Sequence, residues 1–199
     1  MKSDQQSTQA KVQEVFRLVD RELWIVTAAD KSRRGGLVAT WVAQASLDPE
    51  SPVLLIALAT NHFTAELINA SGQFAAHLIH RDQIDLAWRF GLTSGHSHDK
   101  LEDLATFEAT TGTPILAHCL AWLDCRIITT YDSGDRIFYW ADVVDGGRRS
   151  EGQPLREQEL LTMGSPQQLA QLRQNMQHDI RIQKPMLADW RQRVGFTDP

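Results

Sequence analysis

The sequence has 199 residues, 42% hydrophobic and 23% charged, which is typical of one folded domain or of one domain with an appended segment. This hydrophobic content excludes intrinsic disorder over most of the length. The net charge of −5 argues against sequence-independent nucleic-acid binding, and no apolar run is long enough to span a membrane. The polar N-terminus lacks an apolar signal core, so we expect a cytoplasmic protein.

The first third of the chain predicts one helix followed by strands. Residues 1–9 are polar and predict a frayed start, whereas the apolar spacing over Lys11–Arg21 predicts a helix. Three apolar runs of strand length follow, at Glu22–Ala29, Gly36–Ala45 and Pro52–Ala59. Because these runs are continuously apolar, we expect them to be buried on both faces.

The middle of the chain alternates predicted helices with a strand. Asn61–Ser71 predicts a helix with Asn61 as its N-terminal cap and Gly72 as its stop. The remaining predictions are a strand at Phe74–Ile79, a helix at Gln83–Phe90 and a polar loop at Thr93–His98. A short strand or coil at Leu104–Ala109 leads to a turn at Gly112–Pro114.

The last third predicts a long hairpin and then helices. Strands at Leu120–Tyr131 and Arg136–Asp145 are joined by Asp132–Asp135, whose residue types tolerate hairpin turn angles. We predict a turn at Gly146–Arg149 and two helical pieces, at Pro166–His178 and Pro185–Val194. Strands dominate the middle and helices flank them, which predicts a mainly β fold, a β-barrel with appended helices.

Polar residues along Gly35–Pro52 form the first candidate site. Thr40, Trp41, Gln44 and Ser46 lie on a predicted strand that breaks at Asp48-Pro49. Such a strand end exposes hydroxyl and backbone N–H groups that suit a ligand with carbonyls, hydroxyls or a phosphate. The alternative is a strand with ordinary polar residues on its solvent face.

The start of the helix at Asn61–Ser71 is the second candidate site. Free N–H groups and the positive end of the helix dipole favour an anion there. Asn61 and Thr64 add hydrogen-bonding groups, and His62 adds a partial charge near neutral pH. The alternative is a helix start that is capped and binds nothing.

The loop GHSHDKL contains His96, His98, Asp99 and Lys100. A third metal ligand at a suitable spacing is lacking, so we expect no metal site, and the loop is either solvated or supplies Lys100 to a phosphate. Histidines on apolar segments, His77 among them, are expected to be structural, and Cys119 and Cys125 to be small core residues. No GxGxxG, phosphate-binding loop, GxSxG or HExxH motif is present.

Taken in order, five segments resemble the flavin reductase-like, FMN-binding split-barrel family. They are GLVATWVAQASLDPESPVLLIAL, NHFTAELINASGQFAAHLI, IDLAWRFG, HDKL and GTPILAHCLAWLDCRIITTYDSGDRIFYWADVVDG, and the resemblance as a whole extends over roughly Glu22–Gly147. The resemblance implies an FMN-binding split β-barrel that forms a homodimer with one FMN per subunit. It predicts a split-barrel domain over residues 1–160 and a C-terminal helical extension over 161–199, packed on the barrel or at the dimer interface.

The resemblance also implies the flavin contacts. The ring and the ribityl chain would lie along Ala39, Thr40 and Trp41. Further backbone and hydroxyl contacts would come from Gln44, Ala45, Ser46 and Leu47. The phosphate end would be reached by Asn61, His62, Phe63, Thr64 and Lys100. Many members carry Gly-Asp-His in the hairpin, with the histidine near the nicotinamide. Here the third residue is Arg136, which we expect to attract a nucleotide phosphate.

The function implied is an FMN-binding oxidoreductase, a flavin reductase that passes hydride from NADH or NADPH to the flavin. The flavin supplies the reactivity, so no catalytic side chain is expected. One alternative is an FMN-containing electron-transfer module reduced by a protein partner, with little turnover of free nicotinamides. Another is a barrel that has lost flavin and serves as an interaction domain.

Overall fold

Seven antiparallel strands form the main sheet of the computed structural model, which describes the backbone of residues 2–196 and the side chains of residues 8–196. The strands in chain order are β1 (Trp24–Asp30), β2 (Arg33–Ala39), β3 (Val42–Gln44), β4 (Val53–Ala59), β5 (Gln73–Leu78), β6 (Thr106–Phe107), β7 (Ile115–Leu116), β8 (Ala121–Asp132) and β9 (Arg136–Arg148). The main sheet has the order β2-β1-β5-β8-β9-β4-β3, and β6 pairs with β7 separately. The sheet curls into a half-barrel, which confirms the predicted fold class.

Residues 2–196 contain five helices. They are α1 (Lys2–Arg17), α2 (Phe63–Ser71), α3 (Ile84–Leu92), α4 (Glu157–Met163) and α5 (Pro166–Arg193). Sequence patterning did not predict α4. No helix within residues 2–196 combines the length and the apolar character needed to cross a lipid bilayer.

Two hydrophobic clusters lie on opposite faces of the sheet. Along β1, Val26 packs into a cluster with Phe74 and Tyr139, whereas its neighbour Ile25 packs into a second cluster with Trp88. Successive side chains of a strand point to opposite faces, so an uninterrupted apolar run is buried on both. The predicted two-sided burial is therefore confirmed for β1. Both cysteines are buried and free, as expected of small core residues.

The predictions for α1 and α5 were wrong in their bounds. The helix at the N-terminus begins at Lys2 and ends at Arg17, because polar residues extend a helix that apolar periodicity alone does not reveal. The predicted frayed start is helical from residue 2, and Met1 lies outside the described residues. The two predicted C-terminal pieces are one helix, α5, which continues through Pro185.

Two β predictions also needed correction. The single strand predicted over Gly36–Ala45 is divided into β2 and β3, with the break at Thr40 and Trp41. The turn predicted at Gly146–Arg149 is absent, since β9 runs on to Arg148 and its two glycines pair with Leu123 and Trp122 of β8. The glycines there mark close packing of the Trp122 ring on the β9 backbone.

Both predicted chain reversals next to the candidate sites are present. Gly72 ends α2 in the left-handed conformation with φ of 72°, as the sequence predicted. Between β8 and β9, Gly134 has φ of 89° and its N–H donates to the Asp132 carboxylate at 2.7 Å. This tight hairpin turn places Arg136 at the start of β9.

Candidate functional site

An elongated cleft of about 620 Å³ opens between the start of α2, the end of α3 and the middle of α5. We call it the α2–α5 cleft. Five of the predicted flavin contacts line it: Asn61, His62, Phe63, Thr64 and Lys100. The structure thus brings together the residues that the sequence assigned to a phosphate.

The first turn of α2 offers donors to this cleft. His62 is the N-cap in an extended conformation, and no side chain caps the helix. The prediction that Asn61 caps it is wrong, because the Asn61 amide turns toward α5 instead. Thr64 is buried in the first turn, with 2% of its surface exposed. Uncapped N–H groups and the helix dipole make this end of α2 attractive to an anion.

The negatively charged residue that lies beside the start of α2 is Asp179 of α5. The Asn61 amide donates to its Oδ1 at 3.1 Å, and His62 Nε2 lies 3.5 Å from its Oδ2. Burial lowers the pKa of His62, and the nearby Asp179 carboxylate opposes this shift without reversing it. Sequence patterning missed Asp179, which sits in a glutamine-rich helix outside the family resemblance.

Lys100 lies beneath the cleft with 5% of its surface exposed. Its Nζ donates to the Phe90 carbonyl at 3.1 Å and to the Thr93 carbonyl at 2.9 Å, at the C-terminal end of α3. Burial lowers its pKa to about 8. An ammonium has three donors, and these two hydrogen bonds use two of them.

Arg136 and Trp41 form the part of the site next to the strand break. The Arg136 guanidinium carbon lies 4.5 Å from the centre of the Trp41 ring, within cation–π range. Its buried Nε makes no hydrogen bond within the described residues, since the nearest Asp135 oxygen is 3.8 Å away. Burial lowers the pKa of Arg136, and Asp135 and then Asp179 counteract this. Arg136 therefore contacts the Trp41 ring and also interacts electrostatically with Asp179, which lies beside the start of α2.

The predicted ring contacts lie outside the cleft, along the end of β2 and the edge strand β3. Ala39 is buried, and the carbonyl of Trp41 accepts from the Ala57 N–H at 3.0 Å while its side chain is 44% exposed. Thr40 between them is half-buried. This segment offers an exposed aromatic face beside a fixed backbone.

The loop after β3 is ordered by local hydrogen bonds. Gln44 donates to the Ser46 carbonyl at 2.7 Å, and Ser46 Oγ accepts from the Asp48 N–H at 3.1 Å. Ala45 donates to the Val53 carbonyl, while Leu47 is almost fully exposed at 96%. Leu47 therefore presents an apolar side chain to solvent from an ordered loop.

The side chains of the histidine loop make pairwise contacts with neighbouring residues. His96 packs edge-on against Phe63 with ring centres 5.1 Å apart and pairs with Glu66. Asp99 pairs with Arg34 at 2.9 Å. Within the described part of the chain, no group of three or more potential ligands is placed to bind a metal ion.

Comparison with known proteins places this geometry in a family. Residues 16–162 match the family described as the flavin reductase-like domain. The chain is 33% identical over 135 residues, 67% of its length, to the putative diflavin flavoprotein A 6 of Nostoc sp., of which this region is 23%. It is 30% identical over 135 residues to the high molecular weight rubredoxin of Moorella thermoacetica, covering 67% of this chain and 58% of that protein.

Among solved structures, the fold resembles the NADH:FAD oxidoreductase of Streptomyces globisporus C-1027. The TM-score is 0.63 at 23% identity, covering 70% of this chain and 82% of that one. The family match spans more than half of the chain and covers the half-barrel and all of α4 except its last residue. The chain therefore belongs to the flavin reductase-like domain family.

Proposed function

We propose that this protein is an FMN-dependent oxidoreductase that accepts hydride from NADH or NADPH and passes the electrons onward, as a flavin reductase does. The observation that carries the proposal is the set of hydrogen-bond donors without acceptors in the α2–α5 cleft, close to the exposed Trp41 and the half-buried Arg136. The oxidoreductase of Streptomyces globisporus, named for NADH and FAD, supports the choice of donor.

The residues present fit a flavin mononucleotide. Uncapped N–H groups of α2, the Thr64 hydroxyl and the remaining hydrogen of Lys100 suit a phosphate. The buried Nε of Arg136 is a further donor that makes no hydrogen bond within the described residues. Such a group normally has a ligand or water as its partner.

We assign the ring end to the strand break. Thr40 and Trp41 would bound the ring plane, and the Gln44–Leu47 loop would contribute backbone groups and an apolar cover. A bound flavin supplies hydride-accepting and electron-donating chemistry, which no side chain of this protein supplies. The chain's own residues bind, orient and exclude water. Arg136, beside Trp41, would hold a phosphate of the nicotinamide donor.

The test is a titration of the purified protein with FMN, followed by anaerobic addition of NADH or NADPH. The proposal expects loss of the oxidised flavin's visible absorbance with at least one donor. Retention of FMN with no reduction by either nicotinamide would instead establish the alternative function, an electron-transfer module.

That alternative draws on the curated relatives. Their names are diflavin flavoprotein and rubredoxin, and the chain matches 23% and 58% of their lengths. Partial matches to larger redox proteins favour a flavin-holding module that exchanges electrons with a protein partner. Reduction by a reductase protein, but not by free nicotinamides, would separate this function from the first.

We further propose a homodimer in which residues 1–160 form the flavin domain and 161–199 the extension. Large apolar side chains on the C-terminal half of α1 are exposed in the single chain, namely Val12, Val15 and Phe16. A contiguous apolar face of this kind suits association. Sedimentation equilibrium tests it, and a monomer at micromolar concentration would refute it.

A cytoplasmic location completes the proposal. Cys119 and Cys125 are buried free thiols, which suits a reducing compartment. Burial raises the pKa of Cys119 to about 11, so this thiol stays protonated and unreactive at neutral pH. Cell fractionation of the natural host measures the location directly.

A further inference from the structure

The middle of α5 lies against the proposed phosphate site. Asp179 contacts both Asn61 and His62, as described above, and is about one-third exposed. One turn further along, Gln183 is buried and its amide donates to Asn61 Oδ1 at 3.3 Å. Both polar atoms of the Asn61 amide are therefore held by α5.

Residues on either side of Asp179 anchor the same helix to other parts of the chain. Asn175 donates to the Leu92 carbonyl at 3.1 Å, and the Trp190 indole donates to the Tyr131 hydroxyl at 3.3 Å. Gly134 packs so tightly on α5 that an added Cβ would collide with the Met186 carbonyl. The position of Asp179 over α2 is therefore fixed by contacts that do not depend on its carboxylate.

A carboxylate and a phosphate bind the same kinds of hydrogen-bond donor. Both are anions that accept hydrogen bonds from amides, imidazoles and helix N-termini. With Asp179 in place, the start of α2 already has a negative neighbour within the chain. A phosphate that binds there is repelled by the Asp179 carboxylate. It must also replace that carboxylate as the acceptor for the Asn61 amide and as the neighbour of His62.

We propose that Asp179 is a specificity-determining residue: its carboxylate competes with the flavin phosphate for the donors at the start of α2 and so weakens binding of FMN relative to riboflavin. This inference rests on the proposed function. According to this inference, α5 controls how tightly the chain retains its flavin. This helix lies beyond the region that matches the family.

The test measures the dissociation constants of FMN and riboflavin by calorimetry for the full-length protein and two variants. Asp179→Asn removes the charge and keeps the shape of the side chain. Asp189→Asn makes the same change on an exposed residue of the same helix and is the matched control. Thermal melting of each variant confirms that it is folded.

We expect Asp179→Asn to bind FMN about tenfold more tightly, the change that corresponds to ~1.4 kcal/mol and one charge-assisted contact. Riboflavin binding stays within about twofold, because riboflavin has no phosphate. Asp189→Asn leaves both constants unchanged. Asp179→Ala, which also removes the hydrogen bonds, behaves like Asp179→Asn.

Three results would overturn the inference. FMN affinity that is unchanged or weaker in Asp179→Asn shows that the carboxylate does not compete. An equal gain for riboflavin shows that the effect does not involve the phosphate. Folded wild type and variants that bind neither flavin refute the proposed function itself, and the inference with it.

Discussion

His77 makes the stability of this protein sensitive to acid. The side chain is completely buried on β5, where Nδ1 lies 2.8 Å from the Ile25 carbonyl and Nε2 lies 3.1 Å from the Leu116 N–H. A ring that donates from Nδ1 and accepts at Nε2 is necessarily neutral. Burial lowers the pKa of His77 to about 4. This is the structural role that the sequence predicted for it.

The size of the effect follows from linkage. The unfolded state takes up a proton near pH 6.5, whereas the folded state resists protonation until about pH 4. The unfolded chain therefore binds more protons between these values, and stability falls as the pH falls from about 6.5 to about 4. A shift of this size corresponds to about 3 kcal/mol, a large share of the roughly 5–15 kcal/mol that holds a domain folded.

The assay is urea unfolding of wild type and His77→Gln between about pH 7 and pH 4. Glutamine keeps a donor and an acceptor but does not titrate, so other groups contribute equally to both proteins. The variant is less stable near neutral pH, and its disadvantage shrinks by about 3 kcal/mol toward pH 4. Parallel stability curves for the two proteins would refute the reasoning.

Three further predictions concern the site and its cover. Thr64→Val keeps the buried volume but removes the hydroxyl, so calorimetry should show about tenfold weaker FMN binding with riboflavin binding unchanged; equal losses for both flavins would contradict the assignment. FMN affinity should fall as the pH rises through about 8, because Lys100 loses its charge there, whereas a flat profile would remove Lys100 from the phosphate site. Gly134→Ala should lower the melting temperature and alter Trp190 fluorescence, since its Cβ collides with α5 and its φ is positive; an unchanged spectrum would show that α5 does not pack there.

The sequence predicted the β fold well because its strands carry continuous apolar runs and its hairpin carries residues suited to a turn. It predicted the start of α2 as an anion site for a local reason, namely polar residues before a helix. Local patterns reach this far because backbone geometry and burial on the two sheet faces are set by residues close in sequence.

Local sequence patterns could not predict the contacts that α5 makes with the rest of the chain. Asp179 meets Asn61 across 118 positions of sequence, and only tertiary packing brings them together. Pro185 favours a prediction of two separate helices. The structure has one continuous helix, α5, whose Met186 and Trp190 pack against Gly134. The sequence predicts Lys100 as a phosphate contact, but not its two hydrogen bonds to carbonyls at the end of α3, because the irregular loop between them has no backbone geometry that the sequence pattern specifies.

The most direct measurement of the central claim is a calorimetric titration of the folded protein with FMN, with Thr64→Val as the site variant. We expect uptake of one FMN per chain and weaker uptake by the variant. Well-folded protein that takes up no FMN, or that binds it equally well without the Thr64 hydroxyl, would contradict a flavin phosphate held at the start of α2.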